Sequence, residues 1–161
     1  MKRFLTSDWL TIRVQLALGA IFVAAAIPKI LDPPSFAHMI YNYRLLPASL
    51  VNVAALVMPW IELLAGLALI LGVWTAAART LIATMLVVFI VAIGINLARG
   101  NAIDCGCFDV SAAGKTVEQR IADMRFVIVR DLAMLLMVAQ LWYASSQRKH
   151  DHVPKLRDGN A

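Results

Sequence analysis

Residues Thr80–Ala98, TLIATMLVVFIVAIGINLA, form a nineteen-residue run without a charged side chain, closed by Arg79 on one side and Arg99 on the other. At about 1.5 Å per residue, a helix of that length covers most of the roughly 30 Å hydrocarbon core of a bilayer. Lipid offers no hydrogen bonds, so the run must satisfy its own amides and carbonyls and is predicted to be helical. Working outward, three comparable apolar runs lie at about Leu10 to Ile30, Ala48 to Trp74 and Ile121 to Tyr143. Together they predict an all-α integral membrane four-helix bundle. It forms one domain over residues 1–144, followed by a polar, frayed cytoplasmic tail over residues 145–161.

Composition agrees with that reading. Of 161 residues, 61% are hydrophobic and 16% charged, and the mean hydropathy is +0.74. A soluble domain carries roughly 45–50% apolar residues, and one of this size could not hide the excess. The formal charge of +5 sits mainly at the ends of the apolar runs and in the tail, as in membrane proteins, and no basic face or motif points to nucleic acid. Membrane lipid is the expected partner. Met1-Lys2-Arg3 precedes the first run, but that run is too long for a signal-peptide core and lacks an Ala-x-Ala site, so it reads as a span.

Between spans one and two, Asp32-Pro33-Pro34 breaks the helix. Phe36, Met39, Ile40, Tyr43 and Leu46 then recur at helical spacing, which predicts a short amphipathic helix in the membrane interface. Spans two and three are joined by a tight hairpin over Gly72 to Arg79. Gly66 with Gly72, or Gly94 with Ala98, reads as ordinary helix packing.

Two constellations carry chemistry. The first is Cys105-Gly106-Cys107, the only cysteines, in the polar loop between spans three and four. Gly106 lets the backbone turn so that the sulfurs can meet. So small a ring is strained and readily exchanged, and it adds little stability. Thiol–disulfide exchange, a static clip or unpaired thiols, and a two-thiolate Cu(I) site all remain open; a closed zinc site lacks ligands. The second is the set of polar groups inside spans: Glu62, Arg130 and Asp131, with Lys29 and Asn96 near span ends. Such groups are costly in lipid and face the bundle interior. A Glu62–Arg130 pair with Asp131 tied to Lys29 would hold the bundle together. The same groups would equally serve a proton path or a quinone head-group pocket lined by Trp60, Phe89 and Phe108.

At these residues the chain resembles the methylamine utilisation protein MauE family, within the wider group of DoxX-like four-helix membrane proteins. The matching segments are Lys29-Ile-Leu-Asp32-Pro33, Tyr43-Arg44-Leu45-Leu46-Pro47, Pro59-Trp60-Ile61-Glu62-Leu63 with Gly66, Asn96-Leu-Ala-Arg99-Gly100, Asp104-Cys105-Gly106-Cys107-Phe108 and Arg130-Asp131. The Asp-Cys-Gly-Cys-Phe run is the specific part. The resemblance implies a bacterial inner-membrane protein that supports disulfide formation or maturation of a periplasmic enzyme such as methylamine dehydrogenase. It would work with a thioredoxin-like periplasmic partner or the secreted client itself. A non-catalytic assembly factor and a DoxX-like subunit of a quinone-linked oxidoreductase are the alternatives; a transporter lacks the expected inverted repeat.

Orientation follows from the basic residues. With the N-terminus inside, Lys2, Arg3, Arg13, Arg79, Arg148, Lys149, Lys155 and Arg157 are cytoplasmic. Of the other seven, Arg120, Arg125 and Arg130 lie in or at the edge of span four, and Lys29 and Arg99 border spans. Discounting these places both termini in the cytoplasm and the cysteine loop in the periplasm, where disulfides persist. A reporter fused after His150 is therefore expected to read cytoplasmic. An impermeant maleimide is expected to label reduced Cys105 or Cys107 on intact spheroplasts, and labelling only after membrane rupture would invert the topology.

Overall fold

The computed structural model describes residues 7–101 and 116–152, with side chains through 147. Cys105, Cys107 and Phe108 lie outside the described residues. Within them the chain is all-helical, with five helices: α1 (Asp8–Leu31), α2 (Pro33–Asn42), α3 (Ala48–Leu71), α4 (Thr75–Ala98) and α5 (Val117–His152). Three of them, α1, α3 and α4, are long and apolar enough to cross a membrane.

Local chemistry sets the helix ends. Ser7 caps α1 by accepting from the Leu10 amide at 3.4 Å, and Asp8 lies in the first turn, where it favours the positive end of the helix dipole. Asp32 terminates α1 and caps α2: its carboxylate accepts from the Ser35 amide at 3.2 Å, and Pro33 and Pro34 occupy the first turn, where no amide is required. The hydrogen bonds from Ser35 hold the Asp32 carboxyl below its ordinary pKa. This cap is therefore present at neutral pH and weakens as acid protonates it. At the end of α3, Gly72 takes the left-handed conformation at φ 70°, and the Val73 amide reaches back to the Ala68 carbonyl at 3.0 Å.

The structure moves four expected boundaries. The second apolar run ends at Leu71, not Trp74, because the left-handed Gly72 closes it. The next helix starts at Thr75 and takes in Arg79, since Ala76-Ala77-Ala78 favour helix, so the connection is only residues 72–74. The last helix begins at Val117 and runs to His152, against an expected 121–143. Its start is a reciprocal capping box: Gln119 donates its amide to Thr116 Oγ1 at 3.3 Å and accepts from the Thr116 amide at 3.0 Å. Its extension takes the first part of the expected frayed tail into helix, since no breaker occurs before Pro154.

The four long helices form a ring in which α1 packs on α3, α3 on α4, α4 on α5 and α5 on α1, the last seam being the loosest. Leu18, Phe22, Leu69, Ile82, Leu86, Val138 and Leu141 fill the centre. Large apolar side chains cover the outside, among them Leu16, Leu56, Leu64, Val88 and Leu136. That much exposed apolar surface suits lipid rather than water. Short helix α2 packs on α3 and α1. It buries Phe36 and Met39, and Tyr43 is buried just beyond it, but Leu46 of the expected apolar face is 42% exposed.

α1 and α3 cross where both lack side chains. A Cβ on Gly19 would lie 2.8 Å from the Gly66 carbonyl oxygen and 2.7 Å from Ile70 Cγ1, and one on Gly66 would lie 2.8 Å from the Gly19 carbonyl oxygen. Gly66 thus packs against Gly19 rather than acting with Gly72, whose role is the cap, while Gly94 meets nothing within 4 Å. Gly19→Ala and Gly66→Ala are each expected to destabilise the fold by about 1–3 kcal/mol, the usual range for overpacking. Gly94→Ala is expected to be neutral or stabilising, and equal thermal shifts for all three variants in detergent would contradict the close crossing.

Candidate functional site

Beyond the glycine crossing, the facing surfaces of α1 and α3 carry one basic and one acidic residue. Helical Cβ atoms tilt toward the N-terminus, so on these antiparallel helices the Lys29 and Glu62 side chains lean toward each other. Lys29 Nζ lies 2.7 Å from both carboxylate oxygens of Glu62. The two residues are 2% and 5% exposed. The Lys29 ammonium also stands 5.2 Å from the centre of the Phe36 ring and 5.5 Å from that of Phe89, whose electron-rich faces favour a cation.

A second ion pair completes the cluster from α5. Arg130 donates from Nε at 3.0 Å and from Nη2 at 2.8 Å, both to Oδ1 of Asp131. Adjacent helical residues do not normally face each other, so the long guanidinium arm folds back to reach its neighbour. Asp131 is 2% exposed, whereas the Arg130 side chain keeps 23% of its surface. All four charged residues line one cavity of about 40 Å³, whose apolar wall includes Phe22, Met85, Leu86, Phe89 and Met134.

The expected pairing is exchanged. Glu62 binds Lys29 rather than Arg130, and Asp131 binds Arg130 rather than Lys29. The close crossing of α1 and α3 at Gly19 and Gly66 brings Lys29 within reach of Glu62. The four charged residues nonetheless line the same cavity. Lys29, which looked like a span-edge residue, is central to the site; its sequence signal was an ammonium in the last turn of an apolar helix. Asn96 is fully buried but elsewhere: its Nδ2 donates to the Tyr43 carbonyl at 3.1 Å and to that of Ala92 at 3.0 Å, tying α4 to the end of α2.

Of the three aromatic residues suggested for a quinone pocket, Phe89 lines the cavity and Trp60 does not, being 53% exposed.

Two side chains fasten the opposite end of the bundle. Gln15 Nε2 donates to the Leu69 carbonyl at 2.6 Å, and Arg79 Nη1 donates to the Leu141 carbonyl at 2.8 Å. Each satisfies a backbone acceptor on a neighbouring helix.

Breaking the α1–α3 pair leaves a buried charge without its partner. Glu62→Leu is expected to cost roughly 3–5 kcal/mol of stability. Glu62→Gln, which keeps an acceptor, is expected to cost less, and Lys29→Met with Glu62→Leu is expected to recover most of the loss. A thermal midpoint unchanged by Glu62→Leu would mean that the pair does not hold the bundle.

Comparison with known proteins follows the same segments. The chain matches the family described as Methylamine utilisation protein MauE over residues 7–144. It is 42% identical over 96 residues to the methylamine utilization protein MauE of Methylorubrum extorquens, covering 59% of this chain and 52% of the relative. It is 35% identical over 109 residues to that of Paracoccus denitrificans, covering 67% of this chain and 59% of the relative. A third such relative, from Methylophilus methylotrophus, is 33% identical over 108 residues, covering 66% of this chain and 57% of the relative. The chain thus matches between half and three fifths of the length of these relatives. No solved structure matches. Helices that are apolar on the outside, a charged cluster within and a match running through nearly all of both place this chain in the methylamine utilisation protein MauE family.

Proposed function

We propose that this chain is a membrane accessory protein of methylamine utilisation that supports disulfide formation in, or maturation of, an enzyme outside the cytoplasm. Family membership carries the reading, because the matched residues 7–144 include Asp104-Cys105-Gly106-Cys107-Phe108. In this proposal α5 is the fourth span, α2 lies in the interface, and both termini are cytoplasmic in a bacterial inner membrane. The cysteine loop joins α4 to α5 on the periplasmic side.

The chemistry is exchange with a thioredoxin-like partner or with the client enzyme. A thiolate of one protein attacks a disulfide sulfur of the other, the S–S bond breaks, and a mixed disulfide forms. The second thiol of the attacking pair then displaces it, so one pair ends oxidised and the other reduced. A specific observation favours a second reading, an assembly factor with structural cysteines: Lys29–Glu62 and Arg130–Asp131 are closed ion pairs suited to holding a scaffold.

Removal of the resolving cysteine separates the two. Either Cys105→Ser or Cys107→Ser is expected to accumulate a partner adduct that a reductant releases, and the double substitution is expected to form none. Full client activity in cells carrying the double variant, without an adduct in either single variant, would falsify the exchange reading and leave the assembly factor.

A further inference from the structure

The cavity of about 40 Å³ among Lys29, Glu62, Arg130 and Asp131 exceeds the roughly 10–15 Å³ that one water needs, and its lining offers the two to four polar partners that hold one. The two ion pairs differ in what they leave unused. Glu62 accepts on both oxygens, at 2.7 Å each, from one ammonium. Asp131 receives both Arg130 bonds on Oδ1 alone, so Oδ2 retains acceptor capacity. From this geometry we propose that the cavity is a hydrated proton-exchange site in which Asp131 is the proton acceptor and Lys29–Glu62 is the fixed pair beside it.

Every helix around the cavity contributes to that assignment. α1 presents Lys29, α3 Glu62 and α5 Arg130, while α4 supplies only Met85, Leu86 and Phe89. Arg130 is bonded to Asp131, and Lys29 and Glu62 line the same cavity. A proton delivered by a cavity water bonds to Oδ2, the water returns to neutral H2O, and Arg130 keeps both bonds to Oδ1. The cluster passes from neutral to one positive charge, and the partly exposed guanidinium shares that charge with its surroundings. Glu62, by contrast, is engaged on both oxygens by Lys29. Arg130, whose side chain keeps 23% of its surface, marks the opening by which water reaches the site.

The inference stands on the cluster and not on the cysteine chemistry, and infrared titration of the full chain in lipid nanodiscs tests it. On acidification, one buried protonated-carboxyl band is expected per chain. It is expected to disappear in Asp131→Asn, move in frequency in Asp131→Glu, persist in Glu62→Gln and shift on transfer to D2O. The Glu variant keeps the test usable should the Asn variant fail to fold. The same band is expected in a Cys105→Ser, Cys107→Ser chain, which separates this site from the exchange reading. A band lost in Glu62→Gln but kept in Asp131→Asn overturns the proposal. So does a band insensitive to D2O, one that needs the cysteines, or acid unfolding before any buried band appears.

Discussion

The absence of side chains at Gly19 and Gly66 lets the backbones of α1 and α3 approach until each glycine would clash with the other's carbonyl if it carried a Cβ. Helix association in lipid gains little from burying apolar surface, because lipid tails are as apolar as leucine, so close packing and interhelical polar contacts must supply the cohesion. The glycine crossing supplies the first and makes the second reachable. Two helices held this close, and antiparallel, bring a lysine and a glutamate from opposite directions to 2.7 Å.

The remaining polar contacts follow the same economy. Gln15, Arg79 and Asn96 each send a side-chain donor to a backbone carbonyl outside their own helix, tying α1 to α3, α4 to α5 and α4 to the end of α2. The charged cluster differs because it is concentrated. Two cations and two anions in one small space cancel, which keeps the cost of burying them tolerable in a low-dielectric interior.

For a MauE-family protein, the described residues form a helical frame around an apolar centre. The charged cluster of that frame lies where α1, α3, α4 and α5 all contribute lining residues. In the proposed function, thiol chemistry belongs to the loop between α4 and α5 and proton chemistry to the cluster within the frame.

Much of this was legible in the chain itself. Uninterrupted apolar runs such as Thr80–Ala98 determine helix by themselves, because hydrogen bonding in lipid leaves a single segment no other form. Asp32-Pro33-Pro34 likewise settles a break, and Thr116-Val117-Glu118-Gln119 held a readable helix start whose reciprocal bonds the apolar pattern alone did not show. The rarity of charges inside the runs singled out Glu62, Arg130 and Asp131 as interior groups. Only the tertiary structure decided who pairs with whom. Ion pairing depends on the distance between helices, and the close crossing at Gly19 and Gly66 sets Lys29 2.7 Å from Glu62, a residue remote from it in sequence.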